Sequence, residues 1–261
     1  MTHHSAVYLY CVVHSARRPP VARAPEGLAH AARPAVHDAG KGLWVIGADV
    51  PLAEYGPGAL EPRLQDLDWV ATAAVAHEAV VEHFSRARGS TAIPAKLFTL
   101  FSSVDRAIAD VAARRASIAR VMKRIAGCEE WGIRVTRGAA APAPAEIRSA
   151  STSGAAFLAA RKAARDATSN ARAAAAAAAE NAFNALSRHA RDAKARDRRA
   201  EPGTNPPVLE AAFLVPLSAR AKFNAEARRQ AAACAAGGAD LTLTGPWPAY
   251  NFVPGAIGAG W

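Results

Sequence analysis

Hydrophobic residues along the chain fall into short apolar runs and into helical faces, separated by stretches rich in glycine and proline. Residues 7–13 (VYLYCVV) form an unbroken run of β-branched and aromatic side chains, which predicts a buried strand. Residues 67–88 and 104–125 instead carry apolar side chains at steps of three and four, which predicts two amphipathic helices. Residues 93–101 (IPAKLFTLF) and 131–136 (WGIRVT) predict further strands. The first half of the chain therefore mixes both kinds of element.

The second half begins with an alanine-rich segment at residues 153–200. Because alanine has the highest helix propensity, this segment predicts either one long helix or a helical hairpin. A strand at 208–217, a helix at 218–236 and a strand at 240–244 follow it. Helices and strands do not alternate regularly enough for a Rossmann sheet. The pattern predicts an α+β fold in two lobes, with mixed sheets and flanking helices.

A stretch rich in alanine, proline and glycine marks the predicted domain boundary. The chain has 261 residues, which is enough for two domains of ordinary size. We predict an N-terminal α+β domain at 1–137, a linker at 138–152 and a C-terminal domain at 153–261. In the C-terminal domain, the long alanine-rich segment precedes a strand, a helix and a second strand.

The chain is basic, and much of its charge lies in the alanine-rich segment. It has 32 Lys and Arg against 22 Asp and Glu, a net charge of +10, of which residues 161–199 contribute +6. Such a segment binds DNA phosphates by releasing counterions, so a nucleic-acid-binding protein is the alternative function. The other interpretation is a solvated basic face on a helix whose alanine face packs on a neighbour or meets a partner protein. Phe157 and Phe183 are the segment's only aromatics, which argues against base stacking.

Patterns typical of enzymes and metal sites are absent from the sequence. His77 and His83 are six residues apart, which places them about 240° apart around a helix, so that they cannot face one ion. Cys11, Cys128 and Cys234 form no CxxC pair, so neither a zinc knuckle nor a disulfide framework is predicted. The sequence contains no P-loop, dinucleotide-binding loop or nucleophile elbow. We therefore expect no metal, no cofactor and no enzymatic activity.

The N-terminal apolar run is too short for a signal peptide, and no run of about 18 or more strongly apolar residues exists. We expect a cytoplasmic protein with no membrane partner. Near the other end, residues 245–252 (GPWPAYNF) place two prolines around an aromatic residue. This segment is either a rigid turn that plugs its own domain core or a preorganised aromatic contact surface.

Several segments, in this order, resemble blocks of the GvpL/GvpF family of gas vesicle proteins. They are residues 7–13, 77–80 (HEAV), 94–101, 130–135 (EWGIRV), 153–158 (SGAAFL) and 244–253 (TGPWPAYNFV). The resemblance runs from about residue 7 to residue 253. It implies a two-lobed α+β protein with ferredoxin-like arrangements, for which no catalytic residues are known.

The resemblance also implies a function in building gas vesicles. Family members are regarded as accessory or minor structural proteins that act in nucleation or assembly by binding the shell protein GvpA and other gas vesicle proteins. Since the shell protein is very apolar, we expect rigid aromatic side chains to contact it and arginines to attract acidic partners. The expected partner-binding residues are Trp247, Tyr250, Phe252, Arg188, Arg191 and Arg196.

Overall fold

In the computed structural model the chain forms two compact units. The first unit comprises Met1–Glu129 together with Trp247–Trp261, and the second comprises Glu130–Pro246. The structure describes residues 5–138, 154–196, 206–253, 255 and 257.

This division differs from the predicted domains. The strand predicted at 131–136 lies in the second unit, because its backbone pairs there, with the amide of Val208 donating to the carbonyl of Val135 at 2.7 Å. The C-terminal segment after Pro246 belongs to the first unit, whereas we predicted it in the second domain. Apart from Gly138, the predicted linker at 138–152 lies outside the described residues.

The first unit is built on an antiparallel sheet whose centre is its most buried strand. The strands are β1 (Ser5–His14), β2 (Ala35–Asp38), β3 (Leu43–Pro51), β4 (Thr91–Pro94) and β5 (Leu100–Phe101). They follow the order β2-β3-β1-β4, and β5 also pairs with β1. All residues from 6 to 13 are buried, so the predicted buried strand is confirmed.

In the described part of this unit, the helices that accompany the sheet are α1 (Leu52–Tyr55), α2 (Pro57–Arg63), α3 (Leu67–Ser85), α4 (Val104–Ala113) and α5 (Arg115–Ile125). The side chain of Asp66 accepts hydrogen bonds from two backbone amides at the start of α3, and Ser103 caps α4 in the same way. The helix predicted at 104–125 is interrupted at Arg114, where α4 ends and α5 begins.

The strand predicted at 93–101 is also divided, because the backbone turns between β4 and β5. Phe98 adopts a φ of 61°, a left-handed conformation that is rare for a bulky side chain and incompatible with an extended strand. Its amide donates to the Tyr8 hydroxyl at 3.3 Å, which holds this turn against the central strand.

The second unit has the βαββαβ order of a ferredoxin-like domain. Its elements are β6 (Cys128–Arg137), α6 (Gly154–Ser187), β7 (Asp192–Ala195), β8 (Leu209–Pro216), α7 (Arg220–Ala236) and β9 (Ala239–Trp247). The sheet order is β7-β8-β6-β9, and the two helices pack on each other and on β8. The expected α+β class with ferredoxin-like arrangements is confirmed.

Alanine side chains from the second half of α6 build much of the second core. The buried residues on this helix are Ala175, Ala179, Ala182, Ala185 and Leu186. All of them except Ala185 share one core cluster with Phe213 and Phe223, which are fully buried with ring centroids 5.5 Å apart. Small side chains allow close approach, and the Cys234 thiol of α7 reaches the Ala178 carbonyl at 3.8 Å.

The alanine-rich segment contains one helix that ends at Ser187, and no second helix follows in its described part. The Ser187 hydroxyl donates to the Phe183 carbonyl at 2.7 Å, and the amide of Arg191 then donates to Leu214 at 2.7 Å. Pairing with β8 therefore redirects the chain into a strand. Residues 197–200 of the predicted segment lie outside the described residues.

Candidate partner-binding surfaces

Phe252, one of the three expected aromatic contacts, is a core residue of the first unit. Its side chain has no exposed surface, and the Arg124 guanidinium donates a hydrogen bond to its backbone carbonyl. Arg114 donates to the carbonyl of Gly255 at 3.4 Å, which holds the next part of the segment. In this conformation Phe252 stabilises its own unit and offers no surface to a partner.

Tyr250 is half-buried and lies against the motif at His77 and Glu78. Its ring centroid is 6.3 Å from that of His77. Burial raises the pKa of the Glu78 carboxyl, and the neighbouring Tyr250 hydroxyl partly offsets this rise. Two segments that are far apart in the sequence therefore meet in one partly polar cluster of the first unit.

His77 is a buried, neutral residue of that cluster. The Tyr8 hydroxyl accepts from the Phe98 amide at 3.3 Å and lies 2.7 Å from Nδ1 of His77. When the neutral ring carries its proton on Nε2, Nδ1 accepts the proton of this hydroxyl. Burial lowers the pKa of His77 to about 4, and the nearby carbonyl of Ala95 offsets part of that shift. His77 therefore acts as a packing and hydrogen-bonding residue of the core.

Trp247, the third expected aromatic contact, has 44% of its surface exposed at the end of β9. The backbone before it requires a glycine, because Gly245 has a φ of 115° and a Cβ there would lie 2.8 Å from the Glu130 carbonyl. Pro246 and Pro248 flank the tryptophan and restrict its backbone further. Of the three aromatics, Trp247 is the one that presents a large rigid surface to solvent.

The three expected arginines flank the edge strand β7, whereas we had assigned them to a basic helix. Arg188 follows the end of α6, and the amides of Arg191 and Arg196 donate to Leu214 and Glu210 of β8 at 2.7 and 2.8 Å. All three side chains are exposed. Their positive charges therefore lie along one edge of the second sheet.

The basic residues on the helix itself all lie before its packed part, which begins at Ala175. They are Arg161, Lys162, Arg165 and Arg172, and all four are exposed. Every residue from 155 to 174 is exposed, which sets this half of α6 apart from the packed half that follows.

An aromatic stack in the first unit was not foreseen as a surface feature. Trp69 and Phe98 lie face to face, with centroids 5.3 Å apart and planes 6° apart, and the Arg63 guanidinium lies 5.2 Å above the Trp69 ring. Both aromatics are half-buried. The sequence assigned Phe98 to a strand and Trp69 to a helical face, and neither pattern shows that they meet.

Within the part of the chain that the structure describes, no group of three or more His, Cys, Asp or Glu side chains is placed to bind a metal ion. Among the same residues, no helix is long and apolar enough to cross a membrane.

Comparisons with known proteins agree with this fold along nearly the whole chain. "Gas vesicle protein L" of Streptomyces sp. (strain CB03234) is 31% identical over 220 residues, covering 80% of this chain and 78% of that protein. The crystal structure of the gas vesicle protein GvpF from Anabaena sp. PCC7120 superposes with a TM-score of 0.70 at 16% identity, covering 98% of both chains. GvpF from Microcystis aeruginosa gives a TM-score of 0.61 at 13% identity, covering 95% of this chain and 98% of that one.

Residues 6–254 also match the family described as "Gas vesicle synthesis protein GvpL/GvpF". This range contains all the segments on which the resemblance was based and extends through both units. Because the match covers nearly the whole chain, the chain belongs to the GvpL/GvpF family of gas vesicle synthesis proteins.

Proposed function

We propose that this protein is a gas vesicle accessory or minor structural protein, which acts in vesicle nucleation or assembly by binding the shell protein GvpA and other gas vesicle proteins. The observation that carries this proposal is the family match along residues 6–254. It associates the protein with gas vesicles, and protein–protein contact is the activity that its exposed aromatic and basic residues favour.

Trp247 is the residue that we propose as the aromatic contact with the apolar shell protein. Tryptophan combines a large apolar area with few rotatable bonds, so that its binding costs little conformational entropy. Two prolines restrict the backbone around it, which lowers that cost further. Phe252 is fully buried and Tyr250 packs against the core of the first unit, so neither offers a comparable exposed surface.

The first experiment is a capture of tagged protein from nuclease-treated lysate that co-expresses GvpA, with a wash at about 0.5 M salt, where surface charges are strongly screened. Retention of GvpA supports the proposal. If GvpA is lost in the wash while untreated lysate yields nucleic acid at low salt, the alternative of a nucleic-acid-binding protein replaces it.

Replacing Trp247 by alanine is expected to weaken capture of GvpA by at least about tenfold, since buried aromatic anchors often contribute about 2 kcal/mol to binding. Leu64→Ala is the matched control, because Leu64 is also 44% exposed. Its capture of GvpA should stay within about twofold of the wild type. Equal losses in the two variants, with folding intact, would show that Trp247 is not the anchor.

Reversing the charges of Arg188 and Arg196 is expected to slow association with an acidic gas vesicle protein. Both side chains are exposed at the edge of the second sheet, where they can attract an approaching anionic surface. We expect Arg188→Glu combined with Arg196→Glu to lower the association rate about tenfold at low salt, with little difference at 0.5 M. Stopped-flow fluorescence would measure both rates.

A second double variant controls for the overall change in charge. Arg23→Glu combined with Arg88→Glu alters two exposed arginines of the first unit and changes the net charge equally. If this control slows association as much as the Arg188 and Arg196 variant does, the association rate depends only on the net charge. The arginines at the β7 edge would then have no specific role in attracting the partner.

A further inference from the structure

The part of α6 that precedes Ala175 is exposed on all sides in the described structure. Every residue from 155 to 174 is exposed, whereas the second half of the helix packs into the core of the second unit. At 1.5 Å per residue the exposed half is about 30 Å long. Alanine propensity supports the helix here, but a helix gains most of its stability in proteins when an amphipathic face is packed.

The face that is buried in the second half continues into the exposed half. Successive residues turn by about 100°, so the buried Ala175, Ala179, Ala182, Ala185 and Leu186 lie in a sector about 120° wide. The same direction, extended towards the start of the helix, contains a row of mostly apolar side chains within about 60°. This row consists of Phe157, Ala164, Thr168 and Ala171.

Arginines border this apolar row on one side. Arg161, Arg165 and Arg172 lie within about 40° of one another around the helix, immediately beside the row. Asp166, the one acidic residue between 155 and 174, lies on a different face. At the start of the helix, Phe157 and Leu158 are 65% and 64% exposed.

We propose that this surface, residues 155–174 of α6, binds an amphipathic helix of a partner protein whose apolar face is bordered by Asp and Glu. The apolar row would pack against the partner's apolar face, and the alanines allow the two helices to approach closely. Carboxylates along the partner would then lie opposite Arg161, Arg165 and Arg172, where ion pairs fix the register.

The charges disfavour a second copy of this chain as the occupant. Each copy brings four basic residues and one acidic residue to the surface, so two copies would repel each other. The apolar row with Phe157 favours a protein over nucleic acid, because phosphate contacts need only the basic side chains. This proposal goes beyond the role in vesicle assembly and does not depend on GvpA as the partner.

Its test uses the full chain and a synthetic 21-residue helix of Leu, Ala and Glu, in which one apolar row is bordered by Glu. A peptide of the same composition in scrambled order keeps the charge and removes the row. Fluorescence anisotropy is expected to show binding to the ordered peptide at least about tenfold tighter than to the scrambled one. Hydrogen exchange should show that the ordered peptide protects amides between 155 and 174.

Variants separate the surface from general charge effects. Arg161→Glu combined with Arg165→Glu is expected to weaken binding of the ordered peptide at least about tenfold, and Phe157→Ala about fivefold. Lys222→Glu combined with Arg228→Glu is the control, because it makes the same change in charge at exposed positions of α7. It should alter binding of the ordered peptide by no more than about twofold.

Three outcomes would overturn the proposal. Equal affinity for the ordered and scrambled peptides would reduce the surface to a basic patch. Displacement of the peptide by a duplex oligonucleotide at matched charge concentration and physiological salt would assign the surface to nucleic acid. Sedimentation showing a dimer that Phe157→Ala dissociates would assign it to a second copy of the chain.

Discussion

Replacing Phe252 by alanine is expected to lower the free energy of unfolding of the first unit by about 3–5 kcal/mol, the usual cost of emptying a buried aromatic position. Phe252 is fully buried, so its replacement by alanine leaves a cavity. Arg124 donates a hydrogen bond to the backbone carbonyl of residue 252, which restrains the backbone from moving into that cavity. Urea denaturation combined with native-state hydrogen exchange would measure the loss separately for each unit, with β1 amides reporting on the first and β8 amides on the second.

Phe157→Ala is the matched control, since it makes the same chemical change at a phenylalanine that is 65% exposed. Exposed positions of this kind usually change stability by no more than about 0.5 kcal/mol. If the β1 amides of the Phe252 variant exchange at the wild-type rate, the C-terminal segment is not part of the first core. If only the β8 amides lose protection in the Phe252 variant, the contacts of Phe252 stabilise the second unit, which would contradict the prediction.

Local sequence patterns were sufficient to predict the elements whose structure is determined mainly by their own residues. The run at 7–13 forms the central strand β1, because β-branched and aromatic side chains fill both buried faces of a sheet. The apolar positions of α3 are equally local, and the helix begins at Leu67 as predicted, where the side chain of Asp66 caps it. Both elements could be identified without knowing their neighbours.

The residues at which helices and strands end, and the unit to which each strand belongs, depend on contacts with distant parts of the chain. Local sequence patterns could not predict them. Alanine propensity favours helix beyond Ser187, yet the chain turns there, because the amide of Arg191 pairs with Leu214 on β8. The Ala/Pro-rich composition at 138–152 suggested a boundary after the strand at 131–136, whereas that strand pairs within the second sheet. Backbone pairing across the fold overrode local composition in both cases.

The candidate site was recognisable as a segment, but the sequence could not assign roles to its residues. Trp247, Tyr250 and Phe252 alternate with small residues and prolines, a pattern that suits a core plug as well as a contact surface. Burial separates them, because Phe252 meets Arg124 and Tyr250 meets His77, while Trp247 remains partly exposed. Their use in partner binding stays a prediction, with Trp247 as the residue to test.

The stability of the first unit is expected to fall as the pH decreases from 6.5 to about 4, because His77 resists protonation in the folded state. Burial lowers its pKa from 6.5 to about 4. Above pH 6.5 the ring is neutral in the folded and unfolded chains, and its contribution is complete. Between these values the unfolded chain binds the proton and the folded chain does not, which costs about 3 kcal/mol in total. Below pH 4 the contribution no longer changes.

His77→Asn isolates this effect, because an asparagine oxygen can still accept the proton of the Tyr8 hydroxyl. The stability advantage of the wild type over the variant, measured by urea denaturation, should decrease by about 3 kcal/mol between pH 7 and pH 4. Glu78 acts in the opposite direction, since burial raises its pKa, but it is present in both proteins and largely cancels in the difference. A difference that stays constant across this range would mean that the His77 ring accepts a proton in the folded protein as readily as in the unfolded chain. The lowering of the His77 pKa by burial would then be wrong.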